Sequence, residues 1–381
     1  MAPSDLRLES VSGKAGLTSF IGLTRRIYAG DPSWVQPLTL ERLDHLNQKK
    51  NPFLRAIDVR YWIAWRGSEP VGRISAQINR RHLERYRDAT GHFGFLDAID
   101  DPAVFAALLG AAEDWLRRQG MRRLAGPFNL SINDECGLLV EGFDTPPNLM
   151  MGHARPYYRE RVEALGYTKL KDLLAYDFDV AAPWPPAARR LLDRLRRMPG
   201  VRIRPLDMRR YEEEIATVCR IFNDAWADNW WFIPFGEDEA LYLAKSLKPL
   251  VNPGSFAIGE LDGEPVAMTA ALPNLNEAIR DLDGRLLPFG WARLLWRLKV
   301  KGLKTGRMPL MGVVRRLQGT PKGAALALGI IDAVKSHHAA RGYERAELSW
   351  ILEDNEAVKA VIHAVGAVPY KRYRIYGKAL A

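Results

Sequence analysis

Glu69-Pro70-Val71-Gly72-Arg73-Ile74-Ser75-Ala76-Gln77-Ile78-Asn79 and Glu264-Pro265-Val266-Ala267-Met268-Thr269-Ala270-Ala271-Leu272-Pro273-Asn274 open alike on Glu-Pro-Val and reach an asparagine after the same ten-residue step. Further along, Gly120 precedes Asn133 by thirteen residues, and Gly342 precedes Asn355 by thirteen. Gly166 and Gly366 close two amphipathic helical patterns. These spacings predict two copies of one unit in tandem, and a repeat of that size decides architecture before local detail does. The distance between matching landmarks is not constant along the chain. The second copy therefore carries an insertion between its first two landmarks, and the first copy carries one after Asn133.

A length of 381 residues is enough for two or three domains, each able to bury a core. The net charge of +10 suits anionic partners such as CoA phosphates or lipid headgroups. Nucleic acid is not expected as a partner, because the chain has no zinc-ligand spacing, basic tail or RNA-binding aromatic motif. No metal is expected either. Cys136 and Cys219 stand apart and form no disulfide framework, which points to a reducing cytoplasm. The polar start Met1–Lys14 does not read as a secretory signal, and no uncharged apolar run is long enough to span a bilayer.

Strand alternation and helix punctuation give the order within each copy. In the first, Leu6–Val11 alternates, helical patterns follow through Leu17–Ala29 and Leu38–Lys49, and Val59–Trp65 with Pro70–Asn79 reads as a hairpin. Phe93–Ile99 reads as a strand. Asp101-Pro102 then supplies an N-cap and a first-turn proline for a helix that stops at Gly120. Strand Arg123–Leu130, helix Tyr157–Leu165 and strand Asp172–Val180 complete the copy. The second copy repeats this as strand Val201–Leu206, helices Tyr211–Trp226 and Glu239–Lys245, and the hairpin Phe256–Leu261 with Val266–Leu272. It continues with strand Leu310–Val314, helix Gly323–Ala340, strand Arg345–Leu352, helix Glu356–Val365 and strand Tyr373–Lys378. The expected fold is α/β, with mixed sheets carrying helices on both faces. Its expected domains are 1–182 and 200–381, joined by a Pro- and Arg-rich linker, 183–199, that holds one short helix.

Between the parallel-reading strand and helix of the second copy lies Gln318-Gly319-Thr320-Pro321-Lys322-Gly323-Ala324-Ala325-Leu326. Amides at a helix start are unpaired and lie at the positive end of the dipole, so they bind phosphate readily. Thr320 is a good cap, Pro321 a good first residue, and Lys322, Gly323 and Ala324 are expected to offer free amides. An ordinary capped helix accounts for the same residues. With the preceding Leu310–Val314, this stretch resembles the strand and pyrophosphate loop of the GNAT superfamily of acyl-CoA N-acyltransferases, whose loop reads Gln/Arg-x-x-Gly-x-Gly/Ala. The element order, twice over, and the spacing from Asn355 to Gly366 resemble it too. Pro321 departs from the pattern, since it stands where the family has its first loop glycine and lacks an N–H. The resemblance implies two GNAT-like domains in tandem, with acyl-CoA as donor held by Val313, Val314, Gln318, Gly319, Thr320, Lys322, Gly323 and Ala324. The first copy has the acidic Phe93-Gly94-Phe95-Leu96-Asp97-Ala98-Ile99-Asp100 at the matching place and is expected to bind no cofactor.

Amide formation from a thioester needs a base for the amine proton, donors for the oxyanion and an acid for the leaving thiolate. Alternation along Arg345–Asn355 sets Leu348, Trp350 and Leu352 on one face, with Glu347, Ser349, Ile351, Glu353 and Asn355 on the other. Glu353 and Asp354, at the strand's end beside Asn355, are the expected bases. A solvated acidic loop is the plainer reading. The resemblance implies a tyrosine acid four residues before Gly366, where this chain has Ile362. His363, Tyr370, Tyr373 and Tyr376 are the nearest alternatives, with Tyr373 the expected catalytic one. Asn223, Asp224, Trp226, Asn229 and Trp230, where the family's acceptor pocket is roofed, suit an apolar pocket with polar anchors. Core packing accounts for the tryptophans as well.

The second copy's insertion, 276–307, begins with Asn276 and Glu277. It carries Leu286–Lys301, read as one helix with Trp291, Leu294, Leu295 and Leu298 on one face and Arg293, Arg297, Lys299 and Lys301 elsewhere. Such a helix suits a membrane interface or a cover over a long acyl chain. A helix packed on its own domain with a solvated basic face is the plainer reading. Three stretches then resemble a bacterial subgroup of tandem GNAT-like proteins, the ceramide-synthase-like sphingoid-base N-acyltransferases. They are Gly126–Asn129, Leu139–Pro147, and Ser349–Asn355 with Lys371–Tyr376. That resemblance implies transfer of a long acyl group, from acyl-CoA or acyl carrier protein, to a lipid amine at an anionic inner-membrane surface. Acetyl transfer to a small amine, Fem-like aminoacyl transfer, and a non-catalytic lipid-binding role are the alternatives.

Overall fold

A computed structural model of the protein describes residues 5–248 and 251–380, so the first four residues of the polar start lie outside it. Contacts divide the chain into two compact units. One holds residues 1–173, 279–292 and 371–381, and the other holds 174–278 and 293–370.

The strands run in chain order β1 Leu6–Ser10, β2 Ile57–Arg66, β3 Glu69–Asn79, β4 Thr90–Ala98, β5 Arg123–Gly126, β6 Leu138–Glu141, β7 Thr168–Asp179, β8 Val201–Arg204, β9 Phe256–Leu261, β10 Glu264–Pro273, β11 Thr305–Val313, β12 Arg345–Leu352 and β13 Val368–Ala379. In the first unit β1, β2, β3 and β4 form an antiparallel meander, and β4 then pairs parallel with β5. The helix Pro102–Arg118 bridges that parallel pair, as parallel strands require a crossover. Asp101 caps it, accepting the Ala103 amide at 2.8 Å, and Pro102 occupies its first turn. Val104, Phe105, Leu108, Leu109, Ala112 and Leu116 are buried along its inner face, each large side chain contributing roughly 1.5–3 kcal/mol.

The second unit repeats the plan. β8, β9, β10 and β11 are antiparallel, β11 and β12 are parallel, and the helix Pro321–Ala340 is the crossover. The hairpin turn at Asp262-Gly263 has positive φ at both residues, as a tight two-residue turn demands. The segment 183–199 carries the helix Pro186–Leu195, whose Ala188, Leu192 and Leu195 are buried with Ala325, Leu328, Leu348 and Ile362 in the second unit's core.

Three local expectations are corrected. The strand expected over Arg123–Leu130 stops at Gly126, and a short strand, β6, appears at Leu138–Glu141 where none was read. The insertion is not one helix from Leu286. Pro288 has no N–H to give, and the helix runs Gly290–Trp296 before widening into a π-helical turn over Arg297–Lys301. In β12 the alternation breaks after Ser349. Leu348 and Ile351 pack on the same core cluster, and the Trp350 ring meets Trp226 edge-on at 5.6 Å.

Candidate functional site

At the end of β11 the chain is pinned on both sides before it turns. The Val314 amide donates to the Val266 carbonyl at 2.9 Å, and the Gln318 side-chain amide donates to the carbonyls of Val313 and Ala225, each at 2.9 Å. Gly319 then takes φ +69, in the left-handed region, with no atom within 4 Å of where a Cβ would stand. The Thr320 hydroxyl donates to the Leu317 carbonyl at 2.7 Å and accepts the Gly323 amide at 3.0 Å. A Cβ on Gly323 would lie 2.0 Å from the Leu317 carbonyl oxygen, so this turn admits glycine alone there.

The expected donor set is corrected by these bonds. The Gly323 amide is taken by the Thr320 side chain and the Ala324 amide by the Thr320 carbonyl at 3.0 Å. Among the described residues, the amides of Gly319 and Lys322 are the ones at this turn that meet no acceptor, at the positive end of a 20-residue helix. Lys322 is exposed and pairs with no carboxylate among the described residues. Arg315 and Arg316 flank the turn, held by Asp224 at 3.4 Å and Glu264 at 2.6 Å. A concave turn with free amides and three nearby cations fits a diphosphate.

Beside the loop, β11 and β12 pair only over Thr305–Met308 and Arg345–Leu348. Each then runs on, to Val313 and Leu352, without pairing to the other, so the two strands part. At the base of that opening lies a polar network that sequence reasoning missed. Arg307 and Glu347 are register partners, with their Nε and Oε1 at 3.7 Å. Arg307 Nε donates to Ser349 Oγ at 2.9 Å and its Nη2 to the Ser349 carbonyl at 3.2 Å. Ser349 Oγ and the Tyr370 hydroxyl both donate to the Glu347 carboxylate. Glu347 is 2% exposed, and Tyr370 is half-buried. Since Leu348 belongs to the core cluster, Glu347 and Ser349 project to the opposite face of β12. The signal available in the sequence was Glu347-x-Ser349 in an otherwise apolar strand.

The expected catalytic residues lie elsewhere. Asn355 caps the helix Glu356–Ala364, accepting the Val358 amide at 3.1 Å. The Glu353 carbonyl accepts Lys359 Nζ at 2.6 Å, and Asp354 is exposed on the same turn. Tyr373 is 0% exposed and pairs with Leu139 within the first unit, while Glu353–Asn355 belong to the second. Cys219 is buried, and burial together with the nearby Glu239 pushes its thiol up to about 11.

Several expected acceptor residues hold the fold together. Asn223 exchanges two hydrogen bonds with the Phe235 backbone, at 2.8 and 2.9 Å. Asp224 accepts the Arg315 amide at 2.8 Å, and Glu277 accepts the amides of Lys304 and Thr305 and the Thr305 hydroxyl. The Asn276 amide donates to Asn274 at 3.2 Å, and Trp226 Nε1 donates to the Met311 carbonyl at 2.9 Å. Asn229 is half-buried, its carbonyl accepting the Phe232 amide, and Trp230 stacks on Trp231 at 4.2 Å. Trp291 donates to the Pro288 carbonyl at 3.1 Å and is exposed. Around it the insertion leaves Leu287 80% and Phe289 75% exposed, and Leu295, Trp296 and Val300 are exposed as well. Residues 285–304 contain no acidic side chain, while Arg285, Arg293, Arg297, Lys299, Lys301 and Lys304 are basic. No helix among the described residues is long and apolar enough to cross a membrane.

No protein-family profile matches the chain. The protein named bacterial ceramide synthase, from Caulobacter vibrioides (strain NA1000 / CB15N), is 49% identical over 381 residues, covering 99% of this chain and 98% of that one. Protein YghO of Escherichia coli (strain K12) is 47% identical over 368 residues, covering 96% and 94%. Among solved structures, a tandem GNAT protein from the clavulanic acid biosynthesis pathway superposes with a TM-score of 0.58 at 16% identity, over 98% of this chain and 99% of that one. A GCN5-related N-acetyltransferase from Sphaerobacter thermophilus gives 0.56 at 12% identity, over 100% and 97%. At those identities the likeness is one of fold, and the fold is the tandem GNAT arrangement.

Proposed function

The chain belongs to the family of the bacterial ceramide synthase, and from that premise we propose that it is an acyl-CoA-dependent N-acyltransferase that moves a long fatty acyl group to the primary amine of a sphingoid long-chain base. The observation that carries this reading is identity of 49% over an alignment that covers 99% of the chain, both copies and the insertion included. The GNAT fold implies acyl-CoA as the donor. The free amides of Gly319 and Lys322 and the Lys322 ammonium are the groups that would hold its diphosphate, with Val313, Val314, Gln318 and Thr320 shaping the turn. Trp226, Asn229 and Trp230 would line the acceptor pocket.

A lipid acceptor is favoured over a small soluble amine by the insertion. Its exposed Leu287, Phe289, Trp291, Leu295, Trp296 and Val300 sit within a stretch whose only charges are positive. Apolar and tryptophan side chains at the headgroup level, with lysine and arginine around them, make an interfacial element for an anionic membrane surface. The protein is accordingly a peripheral one on the cytoplasmic side of the inner membrane.

The test is to incubate the protein with acetyl-CoA, palmitoyl-CoA or palmitoyl-acyl carrier protein together with sphinganine, and to look for N-acyl product by mass spectrometry. N-palmitoyl product from the CoA donor is expected. Product with small soluble amines alone, or with acetyl-CoA alone, would overturn the long-chain assignment. Replacing Trp291 and Leu295 by serine is expected to weaken sedimentation with phosphatidylglycerol vesicles while sparing turnover of short soluble donors. Equal loss of both would remove the membrane role.

A further inference from the structure

The helix Pro186–Leu195 has two faces of different kinds. Ala188, Leu192 and Leu195 are buried in the second unit's core, and Leu195 lies so close to the crossover helix that a Cβ on Gly329 would stand 2.2 Å from its Cδ2. Just before the helix, Trp184 Nε1 donates to Asp332 of that crossover helix at 2.6 Å, and the Lys335 ammonium sits over its ring at 5.0 Å. Arg190, Arg194 and Arg197 each stand two positions after a buried residue, about 200° further round, so they line the opposite face. Arg197 falls in the closing turn, its amide donating to the Arg194 carbonyl at 3.0 Å. All three are exposed, and none meets a carboxylate among the described residues. Their neighbours Arg189 and Arg196 are held by the Trp184 carbonyl at 3.3 Å and by Asp193 at 3.1 Å. Residues 186–200 hold five arginines, one aspartate and no lysine, so the face is built of guanidiniums alone.

Resting on the N-acyltransferase reading, we infer that this face docks the acidic helix of a carrier protein that delivers the acyl thioester. A planar guanidinium offers paired N–H donors that match a carboxylate, which an ammonium does not. Three of them at i, i+4 and i+7, on a helix fixed to its unit, make a row ~10 Å long. A partner helix presents its own carboxylates at the same spacing. A lipid surface needs no such register and is held best by an apolar face, which this helix buries in the core. Among the described residues no large hydrophobic side chain is exposed between 186 and 207, in contrast to the insertion. The row is also near the donor. Gly329 is eight residues past Pro321, about 12 Å along the crossover helix from the turn proposed for the phosphates. A carrier seated on the row raises the local concentration of its thioester at that turn.

The test combines Arg190→Glu, Arg194→Glu and Arg197→Glu and measures N-acylation of sphinganine from palmitoyl-acyl carrier protein and from palmitoyl-CoA. With the carrier protein, KM is expected to rise roughly tenfold or more at about 50 mM salt, with kcat little changed. Added salt should narrow that gap by raising the wild-type KM. With palmitoyl-CoA both constants should match the wild type, and so should the melting temperature. Arg190→Gln, Arg194→Gln and Arg197→Gln together should shift KM in the same direction, and they carry the test if the glutamate variant does not fold. An unchanged KM for the carrier-protein donor, or equal losses with both donors, would overturn the docking. Lost sedimentation with phosphatidylglycerol vesicles at an unchanged carrier-protein KM would overturn it too and make the face a membrane contact. A wild type that uses palmitoyl-CoA but not the carrier protein would overturn the docking and leave the N-acyltransferase reading standing. A wild type that acylates sphinganine from neither donor would overturn both.

Discussion

Two helices of this protein begin the same way and are put to opposite uses. In the first unit Asp101-Pro102 opens the helix Pro102–Arg118, and in the second Thr320-Pro321 opens the helix Pro321–Ala340. Both have a side-chain cap followed by proline, and both follow the first strand of a parallel pair. In the first unit the cap is a carboxylate that takes the Ala103 amide and is paired with Arg66. The Asp101 carbonyl takes the amides of Val104 and Phe105 at 3.1 and 3.2 Å as well. The positive end of that helix is already neutralised by its own chain. In the second unit the cap is a neutral hydroxyl, and two amides and one lysine are left over. A single choice of cap residue thus separates a helix start closed to anions from one open to them.

Three substitutions and one pH profile probe that difference. The largest effect is expected from Gly323→Val. With the Cβ at 2.0 Å from the Leu317 carbonyl, the turn must open, abolishing CoA binding and costing about 1–3 kcal/mol of stability, read by titration and thermal melting. Thr320→Asp would give the second helix the first helix's cap. CoA affinity should fall roughly tenfold, about 1.4 kcal/mol, while the melting temperature holds or rises. Asp101→Ala should cost about 1 kcal/mol of stability and leave CoA affinity unchanged.

The fourth reading is the pH dependence of that last pair. Burial alone would raise the Asp101 carboxyl, but hydrogen bonds from Arg66 and from the Ala103 amide outweigh it and hold the group below its ordinary range. A carboxyl depressed in the folded state adds stability above its unfolded value near ~3.9 and loses it as pH falls through the lower folded value. The melting difference between wild type and Asp101→Ala should therefore be full at pH 6 and shrink as pH falls below the unfolded value. A difference independent of pH would mean that the cap's charge is not what stabilises the helix.

What the sequence makes legible follows from how local each signal is. The paired hairpins, the cap–proline helix starts and the two crossovers rest on alternation and caps within a dozen residues, and they stand where they were read. β6 was not legible, because Leu138–Glu141 acquires its meaning as a strand from β13, more than two hundred residues later. The grouping of 279–292 and 371–381 with the first unit is likewise a matter of long-range contacts. In the site, the turn Gln318–Ala324 could be found from its cap and glycines. Which amides stay free could not, since that depends on Thr320 spending its hydroxyl on Gly323 and its carbonyl on Ala324. Arg307, Glu347, Ser349 and Tyr370 come from three strands, and no spacing rule connects them.

In the function proposed above, the second helix start, and not the first, grips the donor's diphosphate. It is tested most directly by titrating CoA into Lys322→Glu and its counterpart Ala103→Glu, which put the same charge at the second helical position of each start. Affinity is expected to fall roughly tenfold or more in Lys322→Glu and to keep its wild-type value in Ala103→Glu. Unchanged affinity in Lys322→Glu, or a loss confined to Ala103→Glu, would contradict it.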